Sequence, residues 1–268
     1  MAASCYIGIC PTLMAIAALY DIHGNLPALE AVLRDVRAAG VDRIVVGGDV
    51  LPGPMPRETL ERLLDLDISV HFIYGNGEVA VLHAMAGREL AGVPEVYQPS
   101  IRWTAAQVHD HQRTLSAWPM TLQLEIPGLG GVLFCHATPR NEDECFTRLT
   151  PDDRLLPIFD GLTASVVVCG HTHMQFDRMV GRTRVVNAGS VGMPFGEPGA
   201  DWLLISGAAT GRGGEAPVQM QHTAYDLPKT AELIRGTSYP WPEDFAARYI
   251  LNPPSAADML EVFTRVSI

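Results

Sequence analysis

Short apolar runs alternate with helix-patterned segments along the first third of the chain. The apolar positions of residues 27–39 recur every three or four residues, as on one face of a helix. The same reading predicts a helix at 58–66 and strands at 14–20, 43–47 and 70–74. Strands that alternate with helices at this spacing indicate an α/β protein with βαβ units and a largely parallel sheet. Right-handed crossovers would bring the three strand ends to one edge of the sheet, where such proteins bind ligands.

Residues 79–118 interrupt this alternation. Their pattern is mostly helical, at 79–87 and 101–118, which indicates an insert lying over the sheet edge. Beyond the insert the alternation of apolar and polar positions predicts further strands. These are expected at 122–126, 132–134, 164–169, 175–179, 184–187, 202–206 and 218–225, with a short helix at 152–160, a hairpin turn at 211–214 and a helical tail from 227. We therefore expect one domain over residues 14–268, with its insert at about 79–118.

The N-terminal stretch leaves two interpretations open. Residues 1–13 carry no Lys or Arg before their apolar residues, so the basic region of a signal peptide is missing. Met14 is itself a possible natural start, because residues 14–20 already form a complete first strand. In that case residues 1–13 are a disordered or added arm rather than native core. No later apolar run reaches the roughly 18 residues that a membrane span needs.

Composition narrows the classes of partner. The 268 residues are 47% hydrophobic and 18% charged, which is ordinary for a globular protein. The net charge is −11 and no run of Lys or Arg occurs, so stable nucleic-acid binding is not expected and a small substrate is favoured. The five cysteines are scattered without a CxxC pair, which indicates reduced thiols in a cytoplasmic protein.

Polar side chains follow five of the predicted strands where each apolar run stops. They are Asp21 and His23, Asp49, Asn76, His136, and His171 with His173. Residues i and i+2 of an extended chain point to the same side, so Asp21 and His23 leave their strand together. All seven can donate oxygen or nitrogen to a metal ion, and seven donors exceed what one tetrahedral ion needs. Because the two oxygens of Asp49 can bridge, the set suits two first-row ions about 3.5–4 Å apart.

Each of these residues has an ordinary explanation when taken alone. Asp49 can be a turn residue, Asn76 a left-handed turn residue between glycines, and His136 a hydrogen-bonded core histidine. The pair His171 and His173 can be a single zinc clamp or chance. Their occurrence in order, each closing a separate strand, is what favours a metal site.

The five blocks together resemble the signature of the calcineurin-like metallophosphoesterase superfamily. The resemblance runs from about residue 14 to 206 and is greatest to the small prokaryotic phosphodiesterase-type branch, since residues 21–25 read Asp-Ile-His-Gly-Asn and 186–191 read Val-Asn-Ala-Gly-Ser-Val. It implies a two-sheet β-sandwich flanked by helices. It also implies two metal sites that share Asp49. One would be held by Asp21, His23, Asp49 and His173, and the other by Asp49, Asn76, His136 and His171.

One block departs from the family pattern. The resemblance implies Gly-Asn-His, in which the histidine protonates the leaving oxygen, whereas this chain has Gly77 after Asn76. A glycine has no side chain to give a proton, which disfavours strong activity on monoesters with poor leaving groups. His109 or His111 of the insert could supply the proton if either reaches the site, although an exposed pair on an insert is more often plain surface.

Three neighbouring residues are candidates for supporting roles. Asn25 follows His23 in the turn and is the expected helper behind the metal ligands. Arg140, four residues after His136, could clamp a phosphate, its alternative being a surface arginine. Glu78 is expected to cap the helix after the third strand rather than touch substrate.

The resulting hypothesis is a binuclear phosphodiesterase that hydrolyses a P–O bond with a hydroxide shared between the ions. Asp49, Asn76 and His136 would act through the metals, of which Mn²⁺ is the first expectation, with Fe, Zn or Ni as alternatives. Two rivals share the fold: a phosphomonoesterase or nucleoside-polyphosphate phosphatase with the same site, and a non-catalytic interaction scaffold. The expected partner is a small phosphoester, with no membrane attachment, and the sequence does not indicate an oligomeric state.

Overall fold

The computed structural model describes residues 14–207 and 217–268. The predicted arm at 1–13 and the predicted turn at 211–214 lie outside these residues. Ten strands form two five-stranded sheets in the described ranges. Their bounds are β1 Ala15–Leu19, β2 Arg43–Val46, β3 Ser69–Phe72, β4 Thr121–Ile126, β5 Gly130–Cys135, β6 Val166–Cys169, β7 Phe176–Val180, β8 Thr183–Asn187, β9 Ala200–Ser206 and β10 Val218–Thr223.

The first sheet has the strand order β10-β9-β1-β2-β3. Strands β1, β2 and β3 are parallel, as the βαβ pattern predicts, with Ile16 opposite Arg43 and Ile44 opposite Val70. The antiparallel β9 and β10 extend it on the other side of β1. The second sheet has the order β4-β5-β6-β8-β7, with β5, β6 and β8 parallel and β4 and β7 antiparallel at its edges.

Alternating residues of β1 show how the two sheets pack. Ile16, Ala18 and Tyr20 join a buried cluster with Phe134 and Val168 of the second sheet, so they lie between the sheets. Residues 17 and 19 belong instead to a cluster with the helices on the outer face of the first sheet. A third cluster packs the outer face of the second sheet against the helix at residues 152–159. The structure is thus the helix-flanked, two-sheet α/β sandwich that the resemblance implies.

Helices cover both outer faces and the sheet edge. They are α1 Leu26–Ala38, α2 Pro56–Leu64, α3 Asn76–Met85, α4 Gln98–Gln107, α5 Gln112–Ser116, α6 Asp152–Phe159, α7 Leu227–Arg235, α8 Pro242–Phe245 and α9 Ala256–Val266. Local sequence explains where helix α1 begins. The Asn25 side chain accepts a hydrogen bond from Ala28 N–H at 3.2 Å, and Pro27 occupies the first turn. Its buried face, which includes Leu29, Val32 and Val36, packs on the first sheet.

The insert is broken where the pattern predicts one continuous helix over 101–118. Helix α4 ends before the fully buried Val108, and a 3₁₀ turn at His109–His111 precedes α5. This break turns Asp110 towards α2, where its carboxylate pairs with Arg57 at 2.5 Å. The C-terminal tail is helical as predicted, with a π-helical turn at Ala246–Leu251 after α8. None of the helices in the described ranges is long and apolar enough to cross a membrane.

Candidate metal centre

The structure brings the seven predicted metal ligands to one place between the two sheets. Asp21, Asp49 and Asn76 follow β1, β2 and β3, and His136 and His171 follow β5 and β6 of the other sheet. The parallel strands of each sheet end at the same edge, so residues far apart in sequence meet there. Asp21, Asp49 and three of the histidines (His23, His136 and His173) are less than a tenth exposed.

The Oδ1 atom of Asp21 is central to one group of donors. It lies 3.3 Å from His173 Nε2, 3.8 Å from His136 Nε2 and 3.9 Å from His23 Nε2. The oxygen is buried and has no hydrogen-bond partner within the described chain. A buried carboxylate oxygen without a partner is costly unless a cation or proton compensates it.

Asp49 faces both sides of the cluster. Its Oδ2 lies 3.7 Å from His23 Nε2, and its Oδ1 lies 3.5 Å from His136 Nε2. On the second side Asn76 Oδ1 is 3.1 Å from His136 Nε2 and 3.0 Å from His171 Nδ1. Two overlapping groups, Asp21 with His23 and His173 and Asp21 with Asp49 and His136, each place their donor atoms within 4.8 Å of one another.

Backbone carbonyls fix which nitrogen of three histidines points inwards. The Nδ1 atoms of His23, His136 and His173 lie 3.2, 2.9 and 2.9 Å from the carbonyl oxygens of Pro52, Gly47 and Met193. A carbonyl only accepts, so each Nδ1 carries the proton and each neutral Nε2 presents a lone pair to the centre. The Nε2 atoms of His23 and His173 approach to 3.2 Å. Two lone pairs this close repel unless a cation lies between them, so the donor set fits a divalent metal.

The electrostatics of the histidines agree with this assignment. Burial and the neighbouring imidazole of His173 lower the pKa of His23 to about 3. Burial and His136 lower the pKa of His171 to about 3, so both rings are neutral at physiological pH. Burial also lowers the pKa of His173, but the Asp21 carboxylate outweighs it and the net shift is upward. The Asp21 carboxylate therefore favours a positive charge at this position, which a metal ion would supply.

The backbone at the ligands is unusual. Among the described residues, the non-glycine residues with positive φ are all predicted ligands: Asp21 (53°), His23 (46°), Asp49 (51°), His171 (67°) and His173 (55°). Each such conformation costs on the order of 1–3 kcal/mol and persists only where the surroundings enforce it. Strain concentrated on one cluster of donors is typical of a functional site.

Gly77 lies where the family pattern has histidine, and the structure leaves no room for a side chain there. A Cβ atom on Gly77 would lie 2.0 Å from the Leu51 carbonyl oxygen and 2.9 Å from Asp49 Oδ1. The Gly77 N–H donates to that same Asp49 oxygen at 2.7 Å. The loop after β2 thus occupies the space that the histidine would need.

Glu78 caps α3, as predicted, and also holds the Asp49 loop. Its fully buried carboxyl accepts from the N–H groups of Gly75 and Asp49 at 2.8 Å and from Leu51 N–H at 3.0 Å. Burial raises its pKa to about 8, against the effect of these three donors. Glu78 therefore helps to position Asp49. It does not line either of the two cavities that adjoin the centre and are described below.

The other predicted helpers lie elsewhere. Asn25 is fully buried behind the Asp21–His23 turn, where its amide donates to the carbonyl of Gly192 at 3.0 Å while its oxygen caps α1. Arg140 is exposed and bonded to Glu144 at 2.9 Å, and it lines neither cavity, so its position gives the predicted phosphate clamp no support. His111 lies 3.3 Å from Glu61 on α2, and neither His109 nor His111 lines either cavity.

Two adjoining cavities open from the centre and share His23, Asp49 and Asn76. One, of about 420 Å³, continues under the insert, where His83, Glu142 and Asp143 line it. The other, of about 350 Å³, continues towards the C-terminal tail.

Sequence reasoning missed Glu142, Asp143, the aromatic tail residues and Cys145, whose Sγ lies 3.2 Å from His171 Nε2. None of these forms a motif, because each reaches the site through long-range packing.

Comparisons with known proteins agree with the fold and the site. Residues 14–206 match the family model described as the calcineurin-like phosphoesterase superfamily domain. The uncharacterized protein MJ0912 of Methanocaldococcus jannaschii is 31% identical over 164 residues, which is 60% of this chain and 63% of that relative. The match thus spans less than two thirds of the relative.

Two solved structures share the fold over most of this chain. The hypothetical protein PH1004 of Pyrococcus horikoshii superposes with a TM-score of 0.72 at 20% identity, covering 90% of this chain and all of that one. A metallophosphoesterase of Sphaerobacter thermophilus gives a TM-score of 0.65 at 24% identity, covering 88% of this chain and 98% of its own.

Proposed function

Because the chain belongs to the calcineurin-like phosphoesterase superfamily, we propose that it is a binuclear, metal-dependent phosphodiesterase. The observation that carries the proposal is the convergence of three inward-facing imidazole Nε2 atoms on the carboxylates of Asp21 and Asp49. Asp21, His23, Asp49 and His173 would hold one ion, and Asp49, Asn76, His136 and His171 the other. Mn²⁺ is the proposed metal on donor chemistry, with Fe, Zn or Ni as alternatives.

The bound ions would neutralise the phosphate oxygens and lower the pKa of a water nucleophile. The chain's own residues supply the geometry for this chemistry. The carbonyls of Gly47, Pro52 and Met193 hold three imidazoles in one tautomer and orientation. Asn76 adds a neutral oxygen, so the cluster carries fewer negative charges than an all-carboxylate site of the same size.

The charge of the cavities favours a diester. Among the described residues no Lys or Arg lines either cavity, while Glu142 and Asp143 line the larger one. A phosphodiester carries one negative charge and a phosphomonoester carries close to two at neutral pH. The monoester would therefore meet about twice the repulsion from these carboxylates, with no side-chain cation to offset it.

The lack of a proton donor at position 77 also favours a diester substrate. Position 77 cannot hold a histidine, and His83 lies seven residues beyond Asn76 on α3, about 10 Å further along the helix axis. His83 can contact a remote part of a substrate but not the leaving oxygen. Esters whose leaving group departs without a strong acid are the substrates that such a site can cleave.

The decisive experiment measures turnover of bis-p-nitrophenyl phosphate and p-nitrophenyl phosphate with added Mn²⁺. We expect diester turnover, a lower kcat/KM for the monoester, and a loss of at least about 100-fold in Asp49→Ala, because removing a shared ligand costs more than removing a partner behind one. Asp153→Ala, an exposed aspartate on α6, is the matched control and should keep the parent rate.

Two results separate the rivals. A protein that binds Mn²⁺ but turns over neither ester above the Asp49→Ala variant would be a scaffold on this fold. A clear preference for the monoester would replace the diesterase assignment with the phosphomonoesterase alternative.

A further inference from the structure

The cavity on the tail side of the centre has a wall of aromatic rings. Its volume is about 350 Å³, near the lower end of the roughly 300–1,000 Å³ typical of small-molecule sites. Besides five metal-centre residues (His23, Asp49, Asn76, His171 and His173) it is lined by Tyr97 of the insert and by rings of the C-terminal tail. These are Tyr239, Phe245, Tyr249 and Phe263.

We propose that this cavity binds a planar aromatic ester group of the substrate, either a nucleobase or a simple aryl group, while the phosphate lies on the metal centre. The inference rests on the proposed function, since it names the substrate class of the same site. Tyr97 is its specificity-determining residue, because it lines both this cavity and the one under the insert.

The rings are held in place before any ligand arrives. Tyr239 packs edge to face against Trp103 at 5.5 Å and against Phe245 at 5.8 Å, and Phe245 contacts Tyr249 at 5.4 Å. Edge-to-face pairs of this kind are a preferred arrangement of aromatic rings and stabilise one another beyond the area that they bury. A wall fixed in this way binds a flat ring without paying to order its own side chains.

The lining suits a flat ring better than an alkyl chain or a second anion. The lining is mostly aromatic rings, and a flat ring gains ring–ring contacts with them that an alkyl chain does not. The hydroxyls of Tyr239 and Tyr249 already pair with Ser100 and Tyr97. No Lys or Arg lines this cavity among the described residues, so a second phosphate would find no cation. Tyr97 is 53% exposed, which leaves part of its surface open to stack on a ligand.

The test uses one leaving group and a varied second ester group. Methyl, hexyl, phenyl and thymidine-5′ esters of p-nitrophenyl phosphate all release p-nitrophenolate, so differences in kcat/KM report the second group. We expect the phenyl and thymidine esters to exceed the methyl and hexyl esters on the order of tenfold, and Tyr97→Ala to abolish that preference. Tyr97→Phe keeps the ring and should retain the preference. Val96→Ala, the exposed neighbour that lines neither cavity of the centre, should match the parent.

A second readout separates this inference from the proposed function. Saturation-transfer NMR on the metal-free protein, with phenyl methyl phosphate and dimethyl phosphate as probes, detects ring binding without turnover. A phenyl signal that Tyr97→Ala removes supports the aromatic site even if no ester is hydrolysed. Equal rates for all four esters, a preference for hexyl, or a phenyl signal unchanged in Tyr97→Ala would each overturn it. A thymidine ester faster than the phenyl ester would identify a nucleobase, and the reverse order a simple aryl group.

Discussion

A side chain introduced at Gly77 should destabilise the protein without adding a proton donor. A Cβ atom there would lie 2.0 Å from the Leu51 carbonyl oxygen, which is about 1 Å closer than carbon and oxygen tolerate. The contact is with backbone rather than with the end of a flexible side chain, so the loop after β2 or the start of α3 must move. That movement also stretches the 2.7 Å bond from Gly77 N–H to Asp49 Oδ1.

The expected magnitude follows from two opposed effects. Overpacking of this kind costs typically 1–3 kcal/mol, and the backbone contact places Gly77→Ala towards the upper end. Replacing glycine by alanine within a helix returns about 0.5–1 kcal/mol. We expect a net loss of about 1–2 kcal/mol, or a fall in Tm of roughly 2–8 °C for a domain of this size.

Thermal unfolding of Gly77→Ala and Gly77→His, each with and without Mn²⁺, measures this effect. Gly236→Ala is the matched control, because a Cβ atom on that helix-terminal glycine would meet its nearest atom at an ordinary 3.4 Å. It should leave Tm within about 1 °C of the parent, since substitutions without a strained contact usually have small effects. A Gly77→His variant as stable as the parent, with raised turnover of p-nitrophenyl phosphate, would refute the steric reasoning.

Three further predictions concern the centre and its cavity. Burial and the Asp21 carboxylate raise the pKa of Asp49, and Asp21 outweighs burial to raise the pKa of His173, so protons compete with the metal at both residues. His23 and His171 are neutral, with pKa values of about 3, and Mn²⁺ affinity should therefore rise with pH between 5.5 and 8 by up to about 100-fold per unit. Isothermal titration would show this slope, and an affinity independent of pH would contradict it. Cys145→Ala removes the sulfur 3.2 Å from His171 Nε2 and should weaken metal binding about 10-fold or more. Cys145→Ser should bind metal with an affinity closer to that of the parent. Equal metal affinity in all three proteins would exclude a positioning role for Cys145. Asp143→Asn removes a carboxylate from the cavity under the insert, so kcat/KM should rise several-fold for p-nitrophenyl phosphate and less for bis-p-nitrophenyl phosphate. An equal rise for both esters would argue against charge repulsion.

The sequence predicts those parts of the centre that depend on the local pattern of apolar, glycine and polar residues. Asp21, Asp49 and Asn76 each end an apolar strand, and parallel strands connected through helices must end at the same edge. The glycines beside them also carry a signal, since Gly48 has a φ of 90° and a Cβ on Gly75 would lie 2.2 Å from Asp49 Oδ1. The convergence of these three ligands thus follows from strand spacing and turn chemistry.

The parts that the sequence does not predict depend on contacts between distant segments. Arg140 follows His136 closely in sequence, yet its guanidinium pairs with Glu144 at 2.9 Å and it lines neither cavity. The helical pattern of 101–118 likewise hides the break at Val108, where burial of that side chain and the Asp110–Arg57 pair prevail over local propensity. No periodicity indicates that the tail returns to the metal centre with Tyr239.

Asp49 has a strained backbone conformation and lies in a loop that is hydrogen-bonded to Glu78. Together these two features explain why position 77 is glycine. The left-handed backbone of Asp49 costs on the order of 1–3 kcal/mol. Two N–H groups of the loop, from Asp49 and Leu51, donate to Glu78 and stabilise the loop by about 1–3 kcal/mol in total, at roughly 0.5–1.5 kcal/mol each, which is enough to offset the strain. For Glu78 to reach the N–H of Leu51, the loop must pass against α3, and the Leu51 carbonyl then fills the space beside residue 77. Gly75, Asn76, Gly77 and Glu78 therefore form one unit that contains the proposed ligand Asn76, admits the loop and holds Asp49 in position. The absent histidine is thus part of how this chain builds its metal centre, and it does not by itself indicate decay towards a scaffold.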